Sequence, residues 1–203
     1  MNGRRSTLLL VTIIVTVVAC SAPSTPRYHP SDLAAIELRP ADAPKGLGYV
    51  AQFSGDQDLN AFARDDAERA RLAEDGFELG NGALFVPADR VAGGHLTARD
   101  PIVQGTVAVF ARDEGASASL GRFLDDLRSR QLRGTTDGTP PAIGDESYRL
   151  DATNTDGATV TVLGWRRANL VLVVIGTSFA PASVERLAGL VDRRALSTAS
   201  PSG

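Results

Sequence analysis

Four residues of this 203-residue chain invite a chemical reading first: the single cysteine Cys20, the two histidines His29 and His95, and the single tryptophan Trp165, which stands beside Arg166 and Arg167. A thiolate can take a lipid, a metal or a disulfide partner, but with no second cysteine no intramolecular disulfide can form. With two histidines in all, a zinc site would have to draw carboxylates around His95, in the long polar stretch of about 87 to 101 that includes "VAGGHLTARD". Asp89 and Asp100 are the acids nearby, and His95 with them is a candidate hydrolytic constellation beside the many carboxylate pairs that any acidic domain offers; the plainer alternative is a solvated loop histidine. Trp165 is either an exposed stacking edge for a ligand or partner, with Arg166 next to it, or a core-closing ring with arginine packed on it.

Other motifs dissolve on inspection. "GASAS" at 115 to 119 lacks the second glycine of a nucleophile elbow and opens a helix instead of crowning a strand. "DQDLNA" at 56 to 61 imitates the start of a calcium loop, yet its sixth position is Ala61 and its twelfth Ala67, so it reads as a helix N-terminus capped by Asp58. The charged run "DDAERARLAED" is a solvated helix face whose ion pairs contribute only tenths of a kcal/mol.

Cys20 is best understood from its neighbours. Arg4 and Arg5 precede an apolar run, "LLLVTIIVTVVA" from Leu8 to Ala19, and "SAPSTPRYHPSD" follows the cysteine. This is the build of a secretory signal, and as a helix it rises only about 18 Å against a hydrocarbon core of roughly 30 Å. Val17, Val18, Ala19 and Cys20 resemble the lipobox of bacterial lipoproteins. The resemblance implies diacylglycerol on the Cys20 thiol, cleavage just before it, and further acylation of the new amino terminus; two or more acyl chains make a stable anchor. Ser21 at the next position is permissive for outer-membrane sorting in a Gram-negative cell. The alternatives are an ordinary secretory signal and a short uncleaved anchor. Thr7 stands where a twin-arginine signal prefers a large apolar residue, which favours the general secretory route.

Without residues 1 to 19 the chain keeps 19 basic against 24 acidic residues. An acidic balance argues against nucleic acid as a partner. No motif calls for a cofactor or a metal. The expected organisation is a signal peptide over 1–19, a Ser/Pro-rich tether over 20–32, one α+β domain over 33–196, and a disordered tail over 197–203.

Within the domain, "LAAIEL" at 33 to 38 reads as a short strand. Leu59, Phe62, Ala63, Ala67 and Ala70 read as one alanine-faced helix from Asp58 to a cap at Gly76. "FELGNGALFVP" reads as a strand interrupted at Gly80-Asn81-Gly82, and "IVQGTVAVFAR" as a second strand. Leu120, Phe123, Leu124 and Leu127 then fall on one face of a helix, followed by a loop, "TTDGTPPAIG". Three strands on short connections, "DESYRL", "ATVTVLGWR" and "NLVLVVIGTS", imply antiparallel hairpins, and a last helix spans about 181 to 195. The order argues for a two-layer α+β sandwich: a mainly antiparallel sheet of about five strands with helices mainly on one face. "NLVLVVIGTS" does not alternate, so it belongs at the centre of the sheet and needs cover on both sides. Two-sided need with only a thin alanine-faced helix to meet it points to a cleft.

The C-terminal half, "GDESYRL" with "VTVLGWRRANLVLVVIGTS" and the helix after it, is similar to an arrangement in small lipoproteins and kinase sensor domains of actinobacterial envelopes, some of which resemble the PsbP fold. The resemblance covers about 50 residues and implies an extracytoplasmic binding or accessory module in place of an enzyme. The expected protein is thus a non-catalytic lipoprotein on the extracytoplasmic face of the cell membrane, with a small apolar ligand or an envelope protein as partner. The other classes are an envelope hydrolase using His95 with nearby carboxylates, and a structural subunit that docks through Trp165 and Arg166.

Overall fold

The structure, a computed structural model, describes residues 27–199; the segment expected to be a signal peptide, Cys20 and the rest of residues 1–26, and residues 200–203, lie outside the described residues. Eight strands form one antiparallel sheet: β1 (Leu47–Tyr49), β2 (Gly55–Gln57), β3 (Phe77–Pro87), β4 (Ile102–Phe110), β5 (Arg133–Asp137), β6 (Glu146–Thr153), β7 (Thr159–Arg167) and β8 (Leu170–Thr177). Their order is β1-β3-β4-β8-β7-β6-β5, with β2 pairing on β3. Besides short 3-10 and π turns, five α-helices accompany them among the described residues: α1 (Leu33–Ile36), α2 (Leu59–Phe62), α3 (Asp66–Asp75), α4 (Asp113–Asp126) and α5 (Pro181–Thr198).

The unalternating strand explains the layering. β8 lies between β4 and β7, as its two-sided apolarity requires. Leu170, Leu172 and Val174 enter a core with α1 and α5, where Val184, Leu187, Ala188, Val191 and Ala195 sit at helical spacing. Val171, Val173 and Ile175 enter a second core with Ala116, Leu120 and Leu124 of α4. The α+β class and the antiparallel sheet are therefore as the sequence predicts. The sheet is wider than expected, and the two long helices take opposite faces, because each apolar face of β4, β7 and β8 needs its own cover.

Several elements differ from expectation. "LAAIEL" is helical: Leu33 and Ile36 are both fully buried at a spacing of three, while Ala34 and Ala35 face solvent, a pattern that a strand would split. The expected tether is already part of the domain from Tyr28, whose ring is 1% exposed; its backbone N–H donates to Asn169 Oδ1 at 2.9 Å and its hydroxyl to the Ala195 carbonyl at 3.2 Å. At the other end α5 continues to Thr198 and Ala199 packs on the core, so the tail begins later than residue 197. β5 replaces part of an expected loop; as an edge strand exposed on most of its length it carries no apolar signature. β3 runs unbroken through Gly80-Asn81-Gly82, its irregularity lying between Phe77 and Leu79.

The predicted helix from Asp58 is two helices. Asp58 caps α2, accepting from Asn60 and Ala61 N–H at 3.0 and 2.9 Å, as expected. The chain then turns extended at Ala63, and Asp65 caps α3 through the Glu68 N–H at 2.7 Å. Gly76, left-handed at φ 80°, ends α3 as expected. Of the alanine-rich face only Leu72 is buried, so α3 has little apolar area with which to hold itself on the sheet.

Candidate functional site

Where α3 falls short, the sheet stays partly uncovered. The register of β4 on β8 places Gln104 opposite Ile175, Thr106 opposite Val173 and Ala108 opposite Val171. These cross-strand pairs form the floor of a cleft of about 560 Å³, with α2 and α3 as one wall and α4 as the other. The floor grades from Val173 and Ala108, 5% and 2% exposed, to solvent-accessible Gln104.

Aromatic packing fixes the α2 wall. Phe62 stacks on Phe77 with centroids 4.7 Å apart, and Phe77 meets Phe110 edge-on at 5.8 Å. Phe62 lies directly on β3 because position 80 is glycine; a Cβ there would stand 2.4 Å from a Phe62 ring carbon. Leu72 of α3, Phe123 of α4 and Leu127 just past the end of α4 all line the cleft.

Charged groups tie the two walls together at the rim. Arg64, between α2 and α3, bonds Glu68 at 2.9 Å and also pairs with Asp126 of α4, while Arg122 of α4 pairs with Asp75 of α3. Glu68 raises the Arg64 pKa, burial works against this, and Asp126 adds to the rise. Burial alone would lift the Glu68 carboxyl, but hydrogen bonds from Arg64 outweigh it and hold the group below its ordinary value. These pairs are partly exposed, so each contributes little stability. Their effect is to set the spacing of walls that apolar packing leaves loose.

An apolar floor, aromatic side walls and a polar rim suit a small, largely hydrophobic ligand, and the volume lies in the range of ligand sites. The carboxylates that line the cleft are engaged by arginine: Glu68 and Asp126 by Arg64, and Asp125 by Arg128 at 3.2 Å. Among the described residues no group of three His, Cys, Asp or Glu side chains is placed to hold a metal ion.

The residues singled out from the sequence lie elsewhere. His95 is exposed on the loop between β3 and β4; Asp89 pairs with Arg90 at 3.5 Å, and Asp100 accepts the Thr97 N–H at 2.7 Å. That loop is pinned to its surroundings, since Arg99 Nε donates to the Asp156 carbonyl at 3.1 Å and Ser178 Oγ to the Arg99 carbonyl at 2.9 Å. Trp165 is 0% exposed, which removes it as a ligand or partner contact and makes it the core-closing ring. Its indole N–H donates to Asp192 Oδ1 at 3.0 Å, and Arg167 grips the same carboxylate at 2.7 and 2.8 Å, so arginine meets the ring through a shared acid. Arg166 is engaged by Glu146 at 3.3 Å and by the Ala168 carbonyl at 2.9 Å. Cys20 lies outside the described residues. The sequence pointed to a cleft through β8 and the alanine-rich helix, but Thr106, Phe62 and Phe123 carry no signal that would single them out.

No family model matches the chain, and no curated protein matches it in sequence. Among solved structures, 86% of the chain superposes on 99% of the crystal structure of the extracellular domain of PknH from Mycobacterium tuberculosis, with a TM-score of 0.53 and 13% sequence identity. At that identity the likeness is one of fold.

Proposed function

We propose that the protein is an extracytoplasmic binding module, without catalytic activity of its own, held on the membrane by lipid at Cys20 and taking a small apolar ligand in the cleft between α3 and α4. The observation that carries the reading is the floor of paired β4 and β8 side chains left open by a helix that buries only Leu72. Two features support its setting: the signal segment that ends in a lipobox-like Val17-Val18-Ala19-Cys20, and a fold shared with the extracellular domain of a mycobacterial kinase. Among the described residues no helix is long and apolar enough to cross a membrane.

The experiment is native mass spectrometry on the full-length protein drawn from its own membranes in mild detergent, beside a Thr106→Phe variant that fills the cleft. The expected wild-type mass is a chain from Cys20 plus acyl groups, with a small apolar molecule released on activation and missing from Thr106→Phe. An unmodified mass overturns the anchor. A ligand retained by Thr106→Phe, or none in either protein, overturns the cleft.

A further inference from the structure

The opposite face of the sheet carries a second hollow, of about 360 Å³ and unconnected with the cleft. On α5, Arg186, Leu190 and Arg193 follow at spacings of four and three and so share a face, with Leu187 beside them. The 3-10 turn Pro40–Asp42 sets Pro44 and Lys45 against this face. Lys45 is the only lysine in the chain.

The charge here is unusual for this molecule. Elsewhere arginine is typically held: Arg64, Arg122, Arg149, Arg166 and Arg167 all pair with carboxylates. Lys45, Arg186 and Arg193 have neither ion pair nor hydrogen bond among the described residues, and all three are exposed. The one acid on the hollow, Asp42, is already neutralised. Its oxygens take both terminal nitrogens of Arg194 at 2.7 and 2.8 Å, and these bonds outweigh burial to keep its pKa below the ordinary value. Three converging cations without a counter-ion, on a chain of net charge -3, repel one another and favour an anion between them.

We propose that this hollow is a binding site for a phosphate ester. Two guanidinium groups and an ammonium match the several oxygens of a phosphate, and Leu187, Leu190 and Pro44 give a carbon chain attached to it an apolar edge. A lipid headgroup and a soluble phosphate ester share this chemistry. The headgroup source rests on the Cys20 anchor. Tyr28 bonds the Ala195 carbonyl, so the described chain begins beside the last turns of α5, and Arg27 follows Cys20 by seven positions, with residues 21–26 between them. Such a segment reaches at most about 24 Å.

The lone lysine provides the reporter. Reductive methylation with 13C keeps the ammonium charge and gives one dimethyl-lysine resonance from the full-length protein in detergent. The probes are inorganic phosphate, glycerol 3-phosphate, and nanodiscs of phosphatidylcholine with and without phosphatidylglycerol. The expected result is a saturable shift of the Lys45 resonance, with affinity weakened about tenfold by each of Arg186→Gln and Arg193→Gln. A shift with the soluble esters identifies a soluble ligand, and one confined to phosphatidylglycerol nanodiscs identifies a headgroup; both support the site. No shift with any probe, a shift that chloride reproduces at equal ionic strength, or one indifferent to both arginine changes overturns it. Arg186 and Arg193 are surface residues, so their loss leaves the fold intact, and Thr106→Phe leaves this signal unchanged because it alters the other face.

Discussion

The two faces of β8 are built from nearly the same residues and end in opposite states. Leu170, Leu172 and Val174 lie in a core sealed by α1 and α5, whereas Val171, Val173 and Ile175 lie under walls that leave about 560 Å³ open. The difference is in the covering helices. α5 buries Val184, Leu187, Ala188, Val191, Asp192 and Ala195, and Asp192 locks it down by holding both Trp165 and Arg167. α3 buries Leu72 alone and is tied to α4 by the partly exposed Arg122–Asp75 pair, with Arg64 beside it reaching Asp126. One strand can thus serve as core on one side and as the floor of a cleft on the other, with the choice made by what lies above it.

The contrast can be broken in three places. Trp165→Ala, on the sealed face, should cost about 4 kcal/mol of unfolding free energy in a denaturant titration, through lost burial, a cavity and an orphaned Asp192 contact. A cost below about 1 kcal/mol would mean that this face is not the stabilising one.

Glu37, also on the sealed side, is 3% exposed with Oε2 unpartnered, and burial is the main cause that raises its pKa from 4.5 to about 8, against the Leu38 N–H bond and the Arg194 charge. Because the folded-state value is the higher one, the folded chain binds the extra proton. This stabilising contribution is complete below 4.5 and is lost as pH rises to about 8. Stability should therefore fall by up to about 1.4 kcal/mol per pH unit in that window from this group. Glu37→Gln, which resembles the protonated acid, should flatten the dependence and raise the melting temperature at pH 8; an unchanged profile would show that Glu37 ionises at its ordinary value.

The smallest effect belongs to the open face. Leu72→Ala should cost about 2 kcal/mol, at the low end for a buried leucine, because the walls can close on the gap. Hydrogen exchange should show α3 opening well before α5 in the wild type and earlier still in the variant. Equal protection of the two helices would end the contrast.

Local chemistry was legible wherever the signal is local. Asp58 and Gly76 were readable as helix caps because capping needs only the residue and its immediate backbone, and β8 as a central strand because its composition shows on both sides of the pleat. α1 escapes a reading of the sequence because Leu33–Ile36 is too short a run for its period to separate a helix from a strand, and only the burial of Leu33 and Ile36 together does so. Tyr28 was assigned to a tether because its neighbours are polar, and what recruits it is Asn169, 141 positions away. Trp165 carried a choice between surface and core that composition could not settle; Asp192 settles it from another element.

The sequence by itself determined the α+β class, the antiparallel hairpins of the C-terminal half and the need to cover β8 twice, since these follow from residue type and spacing along the chain. Only the tertiary structure decided that α5 seals one face while α3 fails to seal the other, and that Lys45, Arg186 and Arg193 meet without a counter-charge. Those outcomes depend on which distant side chains are brought together, and on how much apolar area each helix has left to bury when they are.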